Sequence, residues 1–297
     1  MRRGIALAGI VLIAITLAPA FGSDAIQIGI ITDVHSHNVD SPPFGAENKR
    51  MTNFAERLGV FASAMTAWEA DAVIELGDLV NGTFVFGAAA SDDESIPGIL
   101  EEAVLALTGF EGPIHYVLGN HDLYSLSKDE FLAAVDREET YYSFDLGGVH
   151  FVILDAEFRS TGEAYDHVYF LVEGYIPPEE LEWLQADLAA TTLPTIVCVH
   201  QPLDSDFETL AGGPPVANHL AVRQVLEDSE QVVAVFQGHD HANVYNQIEG
   251  IHYVTFAAMV DHLDPTPPTW AQVTLDAGQR TIAIEGFGLQ DSLELTY

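Results

Sequence analysis

The chain is 297 residues long, with 48% hydrophobic and 19% charged residues, which is ample for a sizeable core and excludes disorder by composition. The charge is lopsided: 45 acidic residues against 10 lysines and arginines give a formal −35, so nonspecific binding to nucleic acid or an anionic membrane is not expected. A single cysteine, Cys198, excludes an intramolecular disulfide framework and any cysteine-rich zinc module.

An anionic substrate would need a strong local positive charge, and this chain can supply it only with metal ions. The acidity itself has two readings. One is an ordinary solvated acidic surface; the other is adaptation to high salt, where carboxylate-rich, lysine-poor surfaces stay hydrated and self-repulsion is screened. Comparing stability in dilute buffer and in molar salt separates them.

In chain order, residues 1–20 read as an export signal. Arg2 and Arg3 precede an apolar run, Gly4–Leu17, and Ala18-Pro19-Ala20 offers small residues for cleavage. The run is short of the about 20 residues that span a bilayer, although a retained anchor is an alternative. Residues 21–297 are expected to form one domain, exported to the periplasm, the exterior or the cell surface. Short apolar runs bounded by Gly, Pro, Asp or His predict strands at Ile26–Ile31, Ala72–Leu76, Ile114–Leu118, Val149–Leu154, Thr195–Val199 and Val232–Phe236. Helices are expected at Asn48–Glu69, Ile99–Leu107, Lys128–Val135, Pro178–Ala190 and Val216–Glu227. Tyr142–Phe151 reads as a hairpin around Gly147-Gly148. The tail alternates as strands at His252–Phe256, Ala271–Leu275 and Thr281–Glu285. Gly82–Pro97 reads as a mobile surface loop. Strands alternating with helices give an α/β layered fold.

What ends each strand carries the chemistry. The runs terminate in Asp33-Val34-His35, Gly77-Asp78, Gly119-Asn120-His121-Asp122, His200 and Gly238-His239-Asp240-His241. Ligands in α/β sheets bind beyond the carboxyl ends of strands. Imidazole and carboxylate donors there suit Mn, Fe, Zn or similar divalent ions. Any one of these motifs is weak, since Asp and Asn are also ordinary turn residues. All five in order, each after an apolar run, are specific.

The motif set resembles the calcineurin-like metallophosphoesterases, over about Ile26 to Thr255. The resemblance implies a four-layer α/β/β/α sandwich with two central mixed β-sheets and a site for two divalent metal ions. It implies that Asp33, His35, Asp78 and His241 hold one ion, that Asp78, Asn120, His200 and His239 hold the other, and that Asp78 bridges them. His121 would act beside the scissile phosphate as acid or transition-state stabiliser, with Asn120 also near the substrate. Two cations about 3.5–4 Å apart acidify a shared water, and the resulting hydroxide attacks phosphorus in line. Asn81 stands where purple acid phosphatases place a tyrosine ligand, so a tyrosinate–iron site is not expected. Arg50, Arg57 and Trp68 with DAVIELGDLVNG (71–82), and GYIPPEELEWL (174–184), look like the manganese-dependent ADP-ribose/CDP-alcohol diphosphatase branch. That branch often carries Gln at the place of His35 and Glu at the place of Asp122.

The expected partner is therefore a small phosphorylated substrate. Nucleoside-diphosphate-linked compounds are favoured; simple monoesters or cyclic nucleotides are the alternative, and a metal-stabilised binding protein without catalysis is the reading from another class. Arg50, Arg57 and Arg159 are scarce cations that could grip a distal phosphate, with surface charge balance the plainer role for Arg57. Phe84, Phe86 and Tyr124 follow metal motifs and could stack on a base or pack under a loop. His37 reads as a solvent-facing loop residue. Asp155, Asp261 and His262 could orient a ligand or line the substrate loop.

Overall fold

The computed structural model describes residues 25–39, 49–82, 95–167, 173–205, 215–261 and 267–297. The export segment, most of the expected 82–97 loop, and Phe84, Phe86 and His262 lie outside the described residues.

Two six-stranded sheets stack face to face. The first holds β1 (Ile26–Ile31), β2 (Ala72–Glu75), β3 (Ile114–Tyr116), β10 (Trp270–Asp276), β11 (Thr281–Phe287) and β12 (Leu293–Thr296), in the order β12-β11-β10-β1-β2-β3. The second holds β4 (Tyr142–Leu146), β5 (Val149–Ile153), β6 (Thr195–Cys198), β7 (Val232–Gln237), β8 (Val244–Ile248) and β9 (Ile251–Thr255), in the order β4-β5-β6-β7-β9-β8. β1, β2 and β3 run parallel, as do β5, β6, β7 and β9, and antiparallel strands flank both sets.

The parallel strands are near-continuous apolar runs because both of their faces are covered. In β1, Ile28 and Ile30 face the second sheet with Phe151, Cys198 and Phe236, while Ile31 faces the helical layer. That layer comprises α1 (Phe54–Ala67), α2 (Ile96–Leu107) and α3 (Lys128–Val135). On the far side, α4 (Pro178–Ala190) and α5 (His219–Ser229) cover the second sheet through Leu184, Leu188, Val222 and Leu226. The result is the expected α/β/β/α sandwich.

Gly29 shows how closely α1 sits on β1, since a Cβ there would overlap the Met65 side chain. α3 starts on a capping box between Ser127 and Glu130, with Ser127 Oγ accepting from Glu130 N–H at 3.2 Å.

Some boundaries differ from expectation. α1 begins at Phe54, not Asn48, because Lys49 is drawn into an antiparallel bridge with Asp261. Tertiary pairing there overrides helix propensity. β8 and β12 are strands that the sequence pattern does not announce. β8 is a largely exposed edge, joined to β9 by Glu249-Gly250 at φ 49° and 89°. This is a two-residue turn with both central residues left-handed, like Gly147-Gly148 between β4 and β5, but without the usual Asn-Gly or Gly-Gly signature. Among the described residues, no helix is long and apolar enough to cross a membrane.

Candidate dinuclear metal centre

Every strand-end motif converges on one place between the two sheets. The first sheet delivers Asp33 and His35 beyond β1, Asp78 beyond β2, and Asn120 and His121 beyond β3. The second delivers His200 beyond β6, and His239 and His241 beyond β7. His35 Nε2 and His241 Nε2 lie 3.1 Å apart, and His241 Nε2 lies 3.2 Å from Asp33 Oδ1. Asp78 Oδ2 lies 3.2 Å from His200 Nε2 and 3.6 Å from His35 Nε2, between the two halves of the cluster.

Three triads have donor atoms within 4.8 Å of one another: Asp33–His35–His241, Asp78–His200–His239 and His35–Asp78–His121. Asn120 is held by Tyr124. Its Nδ2 donates to the Tyr124 hydroxyl at 3.1 Å, leaving Oδ1 buried and unpaired.

The donor set fits divalent cations on an observation of its own. Asp33 Oδ1, Asn120 Oδ1, His200 Nε2 and His239 Nε2 are all buried without a hydrogen-bond partner, an arrangement that is costly unless another group meets them. The opposite atoms of Asp33, Asn120 and His200 are engaged. Asp33 Oδ2 accepts from Thr32 Oγ1 (2.7 Å) and His239 N–H (3.0 Å), and Asp78 Oδ1 accepts from His121 N–H (2.7 Å). His200 Nδ1 faces the Leu76 carbonyl at 2.8 Å, His35 Nδ1 faces Asn81 Oδ1 at 3.0 Å, and His241 Nδ1 faces Asp261 Oδ1 at 3.2 Å. Acceptors at all three Nδ1 atoms keep a proton there, so Nε2 is the nitrogen whose lone pair meets a cation once any proton it carries is displaced.

The backbone is contorted to achieve this. Asp33, His35, Asp78, His239 and His241 take φ of 52°, 47°, 59°, 70° and 57°. Such left-handed conformations at non-glycine residues cost about 1–3 kcal/mol each and cluster at functional sites. The motif glycines make room: a Cβ on Gly77 would overlap the His200 ring, and one on Gly119 would overlap Asp78.

The charges are mutually tuned. Burial raises Asp33 and Asp78, but the surrounding imidazoles outweigh it and hold both carboxyls well below the usual range. Burial opposes the imidazolium form throughout the cluster. It holds His239 down at about 3, while Asp33 and Asp261 carry His241 up to about 9, and Asp78 and Asp33 raise His200 well above its ordinary value. Burial keeps His121 neutral at physiological pH by lowering it well below the ordinary imidazole range.

Several supporting residues are not evident from the motifs. Asp122 clasps two ligand loops together: Oδ2 accepts from Asp78 N–H (3.1 Å) and Gly119 N–H (2.9 Å), and Oδ1 from Val80 N–H (2.9 Å). Asn81 and Asp261 orient His35 and His241. Replacing Asn81 by Ala is expected to weaken metal affinity about 10–100-fold, the usual cost of losing an orienting partner, as read by chelator competition.

The other sequence candidates have varied surroundings. Arg57 is neither a phosphate grip nor a surface charge; it is buried, donating to the Met259 carbonyl at 2.6 Å and to the Arg50 carbonyl. Arg50 lies next to Lys49 with its backbone N–H donating to the Val260 carbonyl at 3.0 Å, which fixes its backbone and leaves the role of its side chain open. Arg159 lies over the Tyr165 ring near Glu163. His37 is buried, not solvent-facing, and its Nδ1 accepts from Val39 N–H at 3.1 Å. Tyr124 packs its ring 4.4 Å from that of His121. Asp155 holds Lys128 Nζ at 2.6 Å and the Glu157 N–H at 2.8 Å, not a ligand imidazole.

Glu157 and Glu180 are buried acids in this neighbourhood. Burial pushes Glu157 up to about 8 from an ordinary 4.5, and Glu180 well above its usual value. The folded chain therefore holds protons that the unfolded chain has released, and stability falls as pH rises from 4.5 toward about 8. Urea midpoints of the chelated protein are expected to drop between about pH 5 and pH 8. Glu157→Gln, neutral throughout, is expected to flatten part of that slope, and the other buried carboxyls pushed up by burial, Glu180, Glu75 and Asp122, keep the rest.

A two-sheet α/β sandwich with carboxylates and imidazoles gathered at its strand ends defines a metal-dependent hydrolase of phosphoric esters or anhydrides. The chain belongs to the calcineurin-like phosphoesterase family, whose profile matches residues 26–243. It is similar to proteins named manganese-dependent ADP-ribose/CDP-alcohol diphosphatase. The relative from Oryza sativa subsp. japonica is 24% identical over 79% of this chain and 84% of its own length; that from Xenopus tropicalis is 22% identical over 91% and 93%. Among solved structures, a dimetal phosphatase from Danio rerio superposes with a TM-score of 0.77 at 19% identity, covering 92% of this chain and 99% of that one. A purple acid phosphatase from yellow lupin seeds shares the fold at a TM-score of 0.56 and 13% identity, over 92% of this chain and 54% of that one.

Proposed function

We propose that the protein is an exported, manganese-dependent diphosphatase that cleaves the phosphoanhydride of nucleoside-diphosphate-linked small molecules. The carrying observation is the position of Asp78, whose Oδ2 faces His200 on one side and His35 on the other. Asp33, His35 and His241 complete one cation site with Asp78; Asn120, His200 and His239 complete the second. Bound there, two divalent ions would acidify water and clamp the attacking and leaving oxygens of an in-line displacement.

The chain's own residues do the rest. Occupation of the sites releases the protons that His200 and His241 otherwise hold, so metal affinity rises with pH through their titration. His121 is anchored by its N–H to Asp78 and braced by Tyr124, which aims its ring at the cluster without needing it as a ligand. Its neutral imidazole N–H donates a hydrogen bond to a phosphoryl or leaving oxygen, a preorganised donor for the charge that develops there. The diphosphatase assignment is supported by the names of the relatives and their coverage of most of this chain. His35, where that branch often carries Gln, fills out the first site here. Export rests on residues 1–20.

The test is a panel of ADP-ribose, CDP-alcohols, cyclic nucleotides, and bis-aryl and mono-aryl phosphates. Preferred hydrolysis of the first two, abolished by chelator and restored by Mn²⁺, is expected. Faster turnover of mono-aryl phosphates would replace this reading with a phosphomonoesterase, and no turnover of any substrate with metals bound would make the protein a binder.

A further inference from the structure

The only two lysines of the chain, Lys49 and Lys128, occupy contrasting positions. Lys128 is committed to structure: its ammonium lies 2.6 Å from Asp155 and 3.4 Å from the centre of the Phe158 ring. Lys49 is half-buried beside the metal centre, and among the described residues its ammonium has no carboxylate within ion-pair distance.

Its position is set by backbone pairing. Lys49 bridges Asp261 in antiparallel register, and the segment is held on either side by Arg50 N–H to Val260 O (3.0 Å) and His37 N–H to Met51 O (3.3 Å). Residues opposed in such a bridge bring their Cβ atoms to about 4.5–5.5 Å. The Lys49 side chain therefore rises next to Asp261, whose Oδ1 holds His241 at 3.2 Å. Burial is the largest influence on the protonation of His35, His121, His241 and Asp261, and the Lys49 ammonium is among the charges acting on all four. The field of one flexible cation thus spans the side of the cluster built from Asp33, His35 and His241.

Charge balance gives that cation a task. Two divalent ions against the carboxylates of Asp33 and Asp78 leave a modest positive excess, suited to one phosphoryl group. A substrate with a second phosphoryl group brings another negative charge into a protein of formal charge −35. The protein's net charge as a whole repels it.

We propose that Lys49 binds the phosphoryl group that is not cleaved in a diphosphate-linked substrate, and so sets the preference for diphosphates over monoesters. This rests on the diphosphatase reading of the same site. Lysine suits the role as a compact, mobile point charge on a long stem.

The test uses the full chain loaded with Mn²⁺, comparing wild type with Lys49→Gln and Lys49→Arg. Calorimetry measures binding of the methylene-bridged analogue of ADP, which cannot be hydrolysed, and of AMP. Kinetics follow ADP-ribose and a bis-aryl phosphate, which lacks a second phosphoryl group, and metal content is measured alongside. Lys49→Gln is expected to weaken the ADP analogue about tenfold, the scale of one lost charge-assisted hydrogen bond, and to leave AMP binding and metal content unchanged. KM for ADP-ribose rises with kcat little altered, the bis-aryl substrate is unaffected, and Lys49→Arg recovers most of the loss. Equal weakening of both ligands, no weakening of either, or a wild type that binds the ADP analogue no better than AMP overturns the assignment. Lys49-dependent binding of the analogue without hydrolysis of any diphosphate would sink the diphosphatase reading and leave the Lys49 assignment standing.

Discussion

Asp78→Asn is expected to lower turnover by at least about a thousandfold, the several kcal/mol that metal ions contribute to phosphoryl transfer, and to deplete both cations together. The reason is geometric. Among the described residues, Asp78 Oδ2 is the one carboxylate oxygen within 3.6 Å of both His200 Nε2 and His35 Nε2, so it serves both halves of the cluster. Asparagine keeps an acceptor for the His121 N–H, which now meets Asp78 Oδ1 at 2.7 Å. The fold is therefore expected to survive, and circular dichroism with metal analysis on the same sample checks that the loss is one of cations and not of structure. A variant that retains two ions and most of its turnover would remove Asp78 from the bridging position.

His121→Ala should behave differently. Its Nδ1 is buried without a partner, its ring stands edge-on to His35 at 4.5 Å, and burial keeps it neutral. Loss of a hydrogen-bond donor at the reacting phosphate is expected to lower kcat about 10²–10⁴-fold. Metal content should stay near that of wild type, since each ion keeps its other donors. His121 does lie within reach of His35 and Asp78 in a possible ligand triad. Loss of metal in this variant would therefore make it a ligand.

Much of the site is legible in the sequence because each ligand sits within a few residues of the end of an apolar strand. Asp33, His35, Asp78, Asn120, His121, His200, His239 and His241 form short contiguous motifs, and parallel sheets point the ends of such strands to one edge. The residues that steady them are less legible. Asn81 is visible in the sequence only as the absence of a tyrosine, yet it holds His35 at 3.0 Å. Asp261 reaches His241 across 20 residues, and the Leu76 carbonyl reaches His200 across 124. These partnerships are set by sheet register, which local patterning does not encode. Arg57 misleads for the same reason: its polar type suggests a surface, whereas backbone carbonyls at Arg50 and Met259 satisfy it inside. β8 escapes notice because its exposed polar residues lack the apolar run that marks the central strands.

The candidate ligands divide four to three across the seam of the sandwich: Asp33, His35, Asp78 and Asn120 ride on one sheet, and His200, His239 and His241 on the other. Cations seated there act as rivets as well as catalysts. Whatever binds the native chain and not the unfolded one deepens the native well in proportion to the logarithm of its concentration. Scarcity of the metal should then thin the population of intact molecules, through proteolysis of sheets that have come unpinned, so that supply of the ion governs how long each copy lasts as well as how fast it works.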